Sequence, residues 1–188
     1  MQRLSRLLVI LFAVTAVLNS AAKAQLQISL SAAWQTFSDK FAGGTSSGRA
    51  VVLPNGSANL HHAVRMEGQL THYFISPFAG MQTNIEPNGS PQDAQAYSGV
   101  QFWVRGDGHR YLVQVHTASV KDYNYFSEPF ATTGRWVLVR APFKNLTQMI
   151  PGGKKVPWTG SDLTGMGFEA SGFVGRFWME VGKISLYR

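Results

Sequence analysis

Beyond residue 24 the chain alternates apolar and polar positions in short runs and shows no sustained helical period. Side chains along a strand point to opposite faces in turn, so each run can be phased. In "VQFWV", Val100, Phe102 and Val104 share one side and Gln101 and Trp103 the other. In "YLVQVHT", Val113 and Val115 oppose Leu112, Gln114 and His116. In "WVLVR", Val137 and Val139 oppose Trp136, Leu138 and Arg140. In "GMGFEA", Met166 and Phe168 oppose Glu169, and in "RFWMEV", Phe177, Met179 and Val181 oppose Trp178 and Glu180. Every run therefore has one aliphatic side, which is assigned to the core. Turn signals punctuate the runs: "AGGTSSG", "LPNGS", "EPNGSP", "RGDG", "TTG" and "PGGK". Strand-length pieces separated by such turns predict an all-β sandwich or barrel.

Tyr97 to Thr117 reads as a β-hairpin, because Asp107-Gly108 supplies the positive φ that a tight turn requires. The turn reading outweighs an adhesion role for Arg105-Gly106-Asp107, and no helix follows to make Gly106-Asp107-Gly108 a dinucleotide fingerprint. The segment 66–96 is less regular. Its part "QTNIEPNGSPQDAQAY", with two prolines and a sequon-like Asn88-Gly89-Ser90, reads as a long surface loop. No internal repeat is visible.

The sides opposite the core are mixed. They carry Gln101, Trp103, Arg105, Gln114, His116, Trp136, Arg140, Glu169, Trp178 and Glu180. Tryptophan is uncommon on a solvated face, so this side is either covered or binds something. Tyr123-Asn124-Tyr125 and Trp158 add further rings among amides and carboxylates. Aromatic planes suit the apolar C–H faces of sugars, while amides and carboxylates suit their hydroxyls; for any one of these rings an ordinary packing role competes. Catalytic chemistry has less support. None of His61, His62, His72, His109 and His116 lies in a nucleophile elbow or a metal-binding helix motif. Glu169 and Glu180 are the candidate carboxylate pair of a glycosidase, or are simply solvated. No catalytic residue, metal site or cofactor is expected.

Composition narrows the class. With 188 residues, 45% hydrophobic and 12% aromatic, the chain can build one core and is not disordered. It has no cysteine, which removes disulfides, thiolate nucleophiles, cysteine-held zinc and a lipidated cysteine anchor. Arg3 and Arg6, the apolar Leu7–Leu18 run and Ala22-Lys23-Ala24 have the form of a secretory signal. The expected organisation is a signal peptide over 1–24 and one domain over 25–188, periplasmic or secreted. An uncleaved anchor is the competing reading, but the apolar run is short beside the ~20 residues that span a bilayer. Loss of Arg3, Arg6 and Lys23 takes the formal charge from +7 to +4. The remaining basic residues look scattered along the sequence, so no nucleic-acid partner is expected.

Two segments together resemble the CIA30 domain, named for complex I intermediate-associated protein 30. One is "YSGVQFWVRGDGHRYLVQVHT" with "YNYFSEPFATTGRWVLVRAPFKNL"; its marks are Val104 to Gly108, Tyr111, Tyr125, Gly134, Trp136 and Pro142-Phe143. The other is "WQTFSDKFAGGTSSGRA", marked by Trp34, Asp39, Gly43, Gly44, Ser46, Ser47 and Gly48. The closing "PWTGSDLTGMGFEASG" and "FWMEVGKISLYR" are similar to family 11 carbohydrate-binding modules. The resemblance covers roughly residues 34–188. It implies a galactose-binding-like jelly roll of two antiparallel sheets. It also implies either of two roles: binding β-glucan on a concave sheet face, as the related modules do, or assisting assembly of a protein complex, as mitochondrial members do for complex I. A secretory signal sets this chain apart from the mitochondrial members. The expected molecule is a monomeric, non-catalytic module, not inserted in a membrane once the signal is removed, whose partner is an oligosaccharide or a protein. The expected ligand-binding residues are Gln101, Trp103, Arg105, Gln114, His116, Tyr123, Tyr125, Glu169 and Trp178, on one face. Mass spectrometry of protein from its host should find a mature N-terminus at Gln25; an intact Met1 on cytosolic protein would refute export.

Overall fold

A computed structural model describes residue 28 and residues 33–54 and 62–188. The expected signal peptide, His61 and most of the "LPNGS" turn lie outside the described residues. Eleven strands run in chain order: β1 Gln35–Ser38, β2 Ser47–Leu53, β3 Ala63–Leu70, β4 Phe78–Asn84, β5 Gly99–Gly106, β6 Arg110–Thr117, β7 Phe126–Ala131, β8 Val137–Pro142, β9 Thr147–Gln148, β10 Leu163–Ser171 and β11 Gly175–Tyr187. Single 3-10 turns lie at Asp39–Ala42 and Phe143–Asn145. The strands form two antiparallel sheets: six strands in the order β1-β4-β10-β6-β7-β9 and five in the order β2-β3-β11-β5-β8. This is the expected two-sheet sandwich. The less regular segment 66–96 holds the end of β3 and all of β4, and the expected loop begins three residues later than the sequence suggests, because Gln82–Asn84 belong to β4 and residues 85–98 make the connection to β5.

The aliphatic sides all face inward, as the phasing predicts. Val100, Phe102, Val104, Val113, Val115, Met166, Phe168, Phe177, Met179 and Val181 are buried in one core between the sheets. Phe102 of the five-stranded sheet meets Phe168 and Phe130 of the six-stranded sheet edge-on, at 5.0 and 5.1 Å between ring centroids, a geometry that sets the positive ring edge against the negative ring face.

The predicted hairpin is not one. β5 pairs with β11 and β8, whereas β6 pairs with β10 and β7. The link Asp107–His109 crosses from one sheet to the other. Two strands with aliphatic faces toward one core can lie side by side or face to face, and alternation looks the same in both. Four peptide steps reach about 13–14 Å when extended, enough for the ~10 Å between packed sheets. Gly108, at φ +95°, does supply the left-handed turn residue expected of Asp107-Gly108.

What selects the crossing is Asp107. Its carboxylate accepts from the His109 amide (3.1 Å), the Tyr111 hydroxyl (2.9 Å) and the Trp178 amide (2.8 Å). The Asp107 amide donates to the Trp178 carbonyl at 3.2 Å. The turn is thereby fastened to β11 of one sheet and to the buried Tyr111 of the other. Burial and the neighbouring carboxylate push the Tyr111 hydroxyl well above the ordinary tyrosine range, so it remains a donor. Asp39 plays a similar local part in the "SDKFAGGTSS" segment: fully buried, it accepts from the Ser46 amide (2.9 Å) and hydroxyl (2.6 Å). β11 carries a bulge. Gly182 lies opposite Trp103 and Ser185 opposite Gln101, so three steps on β11 match two on β5, with Lys183 at φ +47° absorbing the extra residue. Inward positions change from Phe177, Met179 and Val181 to Ile184 and Leu186.

Asp107→Ala leaves the His109 and Trp178 amides without their acceptor. A lost partner for a buried group costs about 1–3 kcal/mol. Urea unfolding should show a lowered midpoint at unchanged slope, their product falling by about that much; a change within the ~0.5 kcal/mol of a neutral surface substitution would overturn this role.

Candidate functional site

The crossing at Asp107 divides the expected binding face in two. Gln101, Trp103 and Arg105 on β5 and Trp178 on β11 point outward from the five-stranded sheet. Gln114 and His116 on β6, Glu169 on β10, and Tyr123 and Tyr125 between β6 and β7 lie on the outer side of the six-stranded sheet. The two sets face away from each other across the core. Glu169 and Glu180, which lie on opposite faces, cannot act as a carboxylate pair.

The five-stranded face is charged and internally satisfied. Register places Arg65, Glu180 and Arg105 in one row across β3, β11 and β5. Glu180 accepts from Arg65 at 3.0 Å and Arg105 at 2.8 Å, and Glu67 accepts from Arg65 at 2.6 Å and from Arg49. The guanidiniums of Arg65 and Arg49 hold the Glu67 carboxyl below its usual range. Arg65 lies 4.7 Å over Trp178, Arg105 5.2 Å over Trp136 and Arg140 5.4 Å over Tyr187. Arginines that look scattered in sequence are gathered here. A hollow of about 680 Å³ is lined by Arg49, Arg65, Glu67, Arg176 and Trp178, but most of its charges pair with one another. Trp103 is 36% exposed beside Gly182 and Leu138.

The six-stranded face is built differently. β10 contributes Gly165 and Gly167 outward, beside Asn84 and Gln82 of β4 and His116 and Gln114 of β6. Missing side chains on the central strand leave a depression flanked by amides. Gln114 is 7% and His116 8% exposed. The Gln114 amide nitrogen donates to Glu169 at 2.8 Å. Gln114 Oε1 and His116 Nε2 are both buried without a partner. They converge on the space above Gly167: a Cβ there would sit 3.1 Å from the one and 3.3 Å from the other. Buried polar atoms are nearly always partnered, so two orphans at one spot call for an explanation. Tyr125 stacks on His116, 3.7 Å between centroids.

A groove of about 550 Å³, a volume typical of small-molecule sites, reaches His116 of this pair, while Gln114 and Gly167 lie behind its lining. Gln35, Gln82 and Asn84 line one part, Pro87, Gly89 and Pro91 of the 85–98 loop another, and His116, Lys121 and Tyr125 the third. Gln35, Gln82, Asn84 and Lys121 are additions to the expected site. The alternation in "FAGMQTN", with Ala79 and Met81 buried and Gln82 and Asn84 opposite, is the one sequence signal that points to any of them. Tyr123 sits at φ +63°, a conformation costing about 1–3 kcal/mol in a non-glycine residue. The neighbouring Asn124 holds it there. Fully buried, Asn124 accepts from the Ile150 amide (2.9 Å) and donates to the Lys154 carbonyl (3.2 Å), and its carbonyl accepts from Gln148 (2.6 Å).

Burial pushes His116 down to about 3, so the ring is neutral. It pushes the Glu169 carboxyl up, against hydrogen bonds from Ser171 and Gln114 that pull the other way. The two groups affect stability with opposite signs. His116 charges more readily in the unfolded chain, so its contribution is complete above about pH 6.5 and is lost toward pH 3, at up to ~1.4 kcal/mol per pH unit. Glu169 favours the folded state in acid and loses that contribution as pH rises through its raised value. Denaturation midpoints measured from pH 3 to 8 should show His116→Gln flattening the acid limb and Glu169→Gln flattening the opposite one. Mutant profiles parallel to wild type would refute the assignment.

A family model for complex I intermediate-associated protein 30 (CIA30) matches residues 23–181. No curated protein matches the chain. Among solved structures, a family 11 carbohydrate-binding module from Clostridium thermocellum, in complex with a β-1,3-1,4-mixed-linked tetrasaccharide, is similar with TM-score 0.65 at 12% identity, covering 82% of this chain and 88% of that one. A family 30 carbohydrate-binding module of a cellulosomal cellulase from the same organism is similar with TM-score 0.64 at 14% identity, covering 87% of this chain and 96% of that one. These similarities show a shared fold: the jelly-roll sandwich of carbohydrate-binding modules.

Proposed function

The chain belongs to the CIA30 family, and from that premise we propose that it is an exported, non-catalytic module that binds uncharged carbohydrate in the groove on its six-stranded sheet. The observation that carries this is a groove lined by amides and a tyrosine ring that reaches His116, whose Nε2 is buried without a partner beside the equally unpartnered Gln114 Oε1. A sugar hydroxyl can exchange a hydrogen bond with the neutral imidazole. Gln35, Gln82 and Asn84 offer donors and acceptors to further hydroxyls, and the Tyr125 side of the groove presents an apolar surface to C–H groups. Among the described residues Lys121 is the one charged side chain lining the groove, which favours a neutral ligand. A glycan-bound neighbour of the same fold supports the reading, and the signal-like residues 1–24 would deliver the domain to where polysaccharides are found.

One observation favours a protein partner instead. Phe41, Tyr73, Ile75 and Tyr123 are all strongly exposed, and Phe41 touches both Phe78 and Tyr123. Clustered exposed apolar side chains commonly mark docking surfaces, and the family's name comes from an assembly role. Calorimetric titration with neutral β-glucans and β-galactans separates the readings. Under the glycan reading, Gln114→Ala and Asn84→Ala each weaken binding about tenfold, the ~1.4 kcal/mol of one lost polar contact, while Trp103→Ala on the opposite face leaves it unchanged. Weakening by Trp103→Ala alone would move the site to the other sheet.

A further inference from the structure

The glycan reading can be taken further, to the part of a polysaccharide that fits. A series of ring contacts runs over the six-stranded face: Phe78 to Phe41 at 5.9 Å, Phe41 to Tyr123 at 6.4 Å, Tyr123 to Tyr125 at 6.3 Å, and Tyr125 onto His116 at 3.7 Å. Its two ends are fixed by strand register. Phe78 lies on β4 beside Ser171, where β10 ends, and β10 pairs there with the beginning of β6. His116 lies on β6 beside Gly165, where β10 begins. The ends are therefore on opposite sides of β10 and at opposite ends of it, about 20 Å apart at ~3.4 Å per residue. A series joining those corners cannot pass around the sheet; it crosses the face diagonally, above β10.

The inner end of this series walls the groove. On the β6 side the groove ends at Tyr125, His116 and Lys121, and the 85–98 loop borders it at the far end of β4. A polysaccharide lying across the face would have to pass through the rings. We infer that the site takes the end of a neutral glycan chain, with the terminal sugar against Tyr125 and His116 and the next unit toward Gln82 and Asn84. This rests on the glycan reading above. The rings are not needed for the core: Phe41 is 78% and Tyr123 70% exposed.

The test compares matched pairs of each glycan, a long polymer and its oligosaccharides of two to six units, using mixed-linked β-glucan, β-1,4-glucan and β-1,4-galactan. For a glycan that binds, affinity should level off by about two to three units. The number of protein molecules held by the polymer should rise in proportion to the chain ends released by partial endo-hydrolysis. The double variant Phe41→Ala/Tyr123→Ala should gain binding to undigested polymer, at least about tenfold. Affinity that keeps rising to six units, with many sites per undigested chain in the wild type, would overturn chain-end recognition and leave the glycan reading standing. Absence of binding to every member of the set, by a protein whose unfolding transition is intact, would overturn both.

Discussion

One carboxylate fixes how the two halves of this molecule face. Asp107 holds a three-residue link against β11 and against Tyr111, and in doing so sends β5 to one sheet and β6 to the other. Everything outside the core follows from that. Gln101 and Gln114, thirteen residues apart and identical in type, end on opposite surfaces. The motif Arg105-Gly106-Asp107-Gly108 is thus a structural device. Gly108 allows the left-handed turn, and Gly106 leaves room for the Thr132 side chain and the Trp178 carbonyl, both about 3 Å or less from where a Cβ would stand.

The two outer faces obey different electrostatic logic. On the five-stranded face, carboxylates and guanidiniums alternate along a row and satisfy one another, so the face needs no ligand to be stable. Such partly exposed pairs contribute modestly, and several in a network more than one alone. On the six-stranded face, polar groups are buried under rings with hydrogen-bonding capacity to spare. Burying a polar atom without a partner is costly, and a fold that does so twice at one point, over a strand of glycines, gives up stability there. The same low-polarity surroundings that keep His116 neutral would strengthen any hydrogen bond it forms with a ligand.

Alternation was enough to read inside from outside. Every aliphatic side assigned from the sequence packs on the core, with Val137 and Val139 of β8 only half-buried, and the turn at Asp107-Gly108 is where it was expected. Alternation carries no information about which sheet a strand joins, because the core lies between the sheets and both present their apolar sides to it. Trp103 and Gln114 therefore looked like neighbours and are not. Nor does local pattern show that Glu180 would be covered by Arg65, 115 residues away, or that Phe41 would reach across the sheet to Tyr123. These are long-range contacts. Tyr123 and Tyr125 were recognisable by composition, as rings among amides, but the glycines of β10 that make space beside them read only as turn residues until register set them next to Gln114 and His116.

The bulge at Lys183 bears on how related chains should be compared. Before it, odd-numbered residues of β11 face inward; after it, even-numbered ones do. The strand is in effect written in two reading frames joined by one inserted residue. In a relative that lacks this insertion, matching residues by simple count past Gly182 would set core positions against surface ones, and Ser185 would be scored against a buried aliphatic side chain. A one-residue gap at that point is a geometric event in the sheet, and comparison across it has meaning only when the frame is shifted with it.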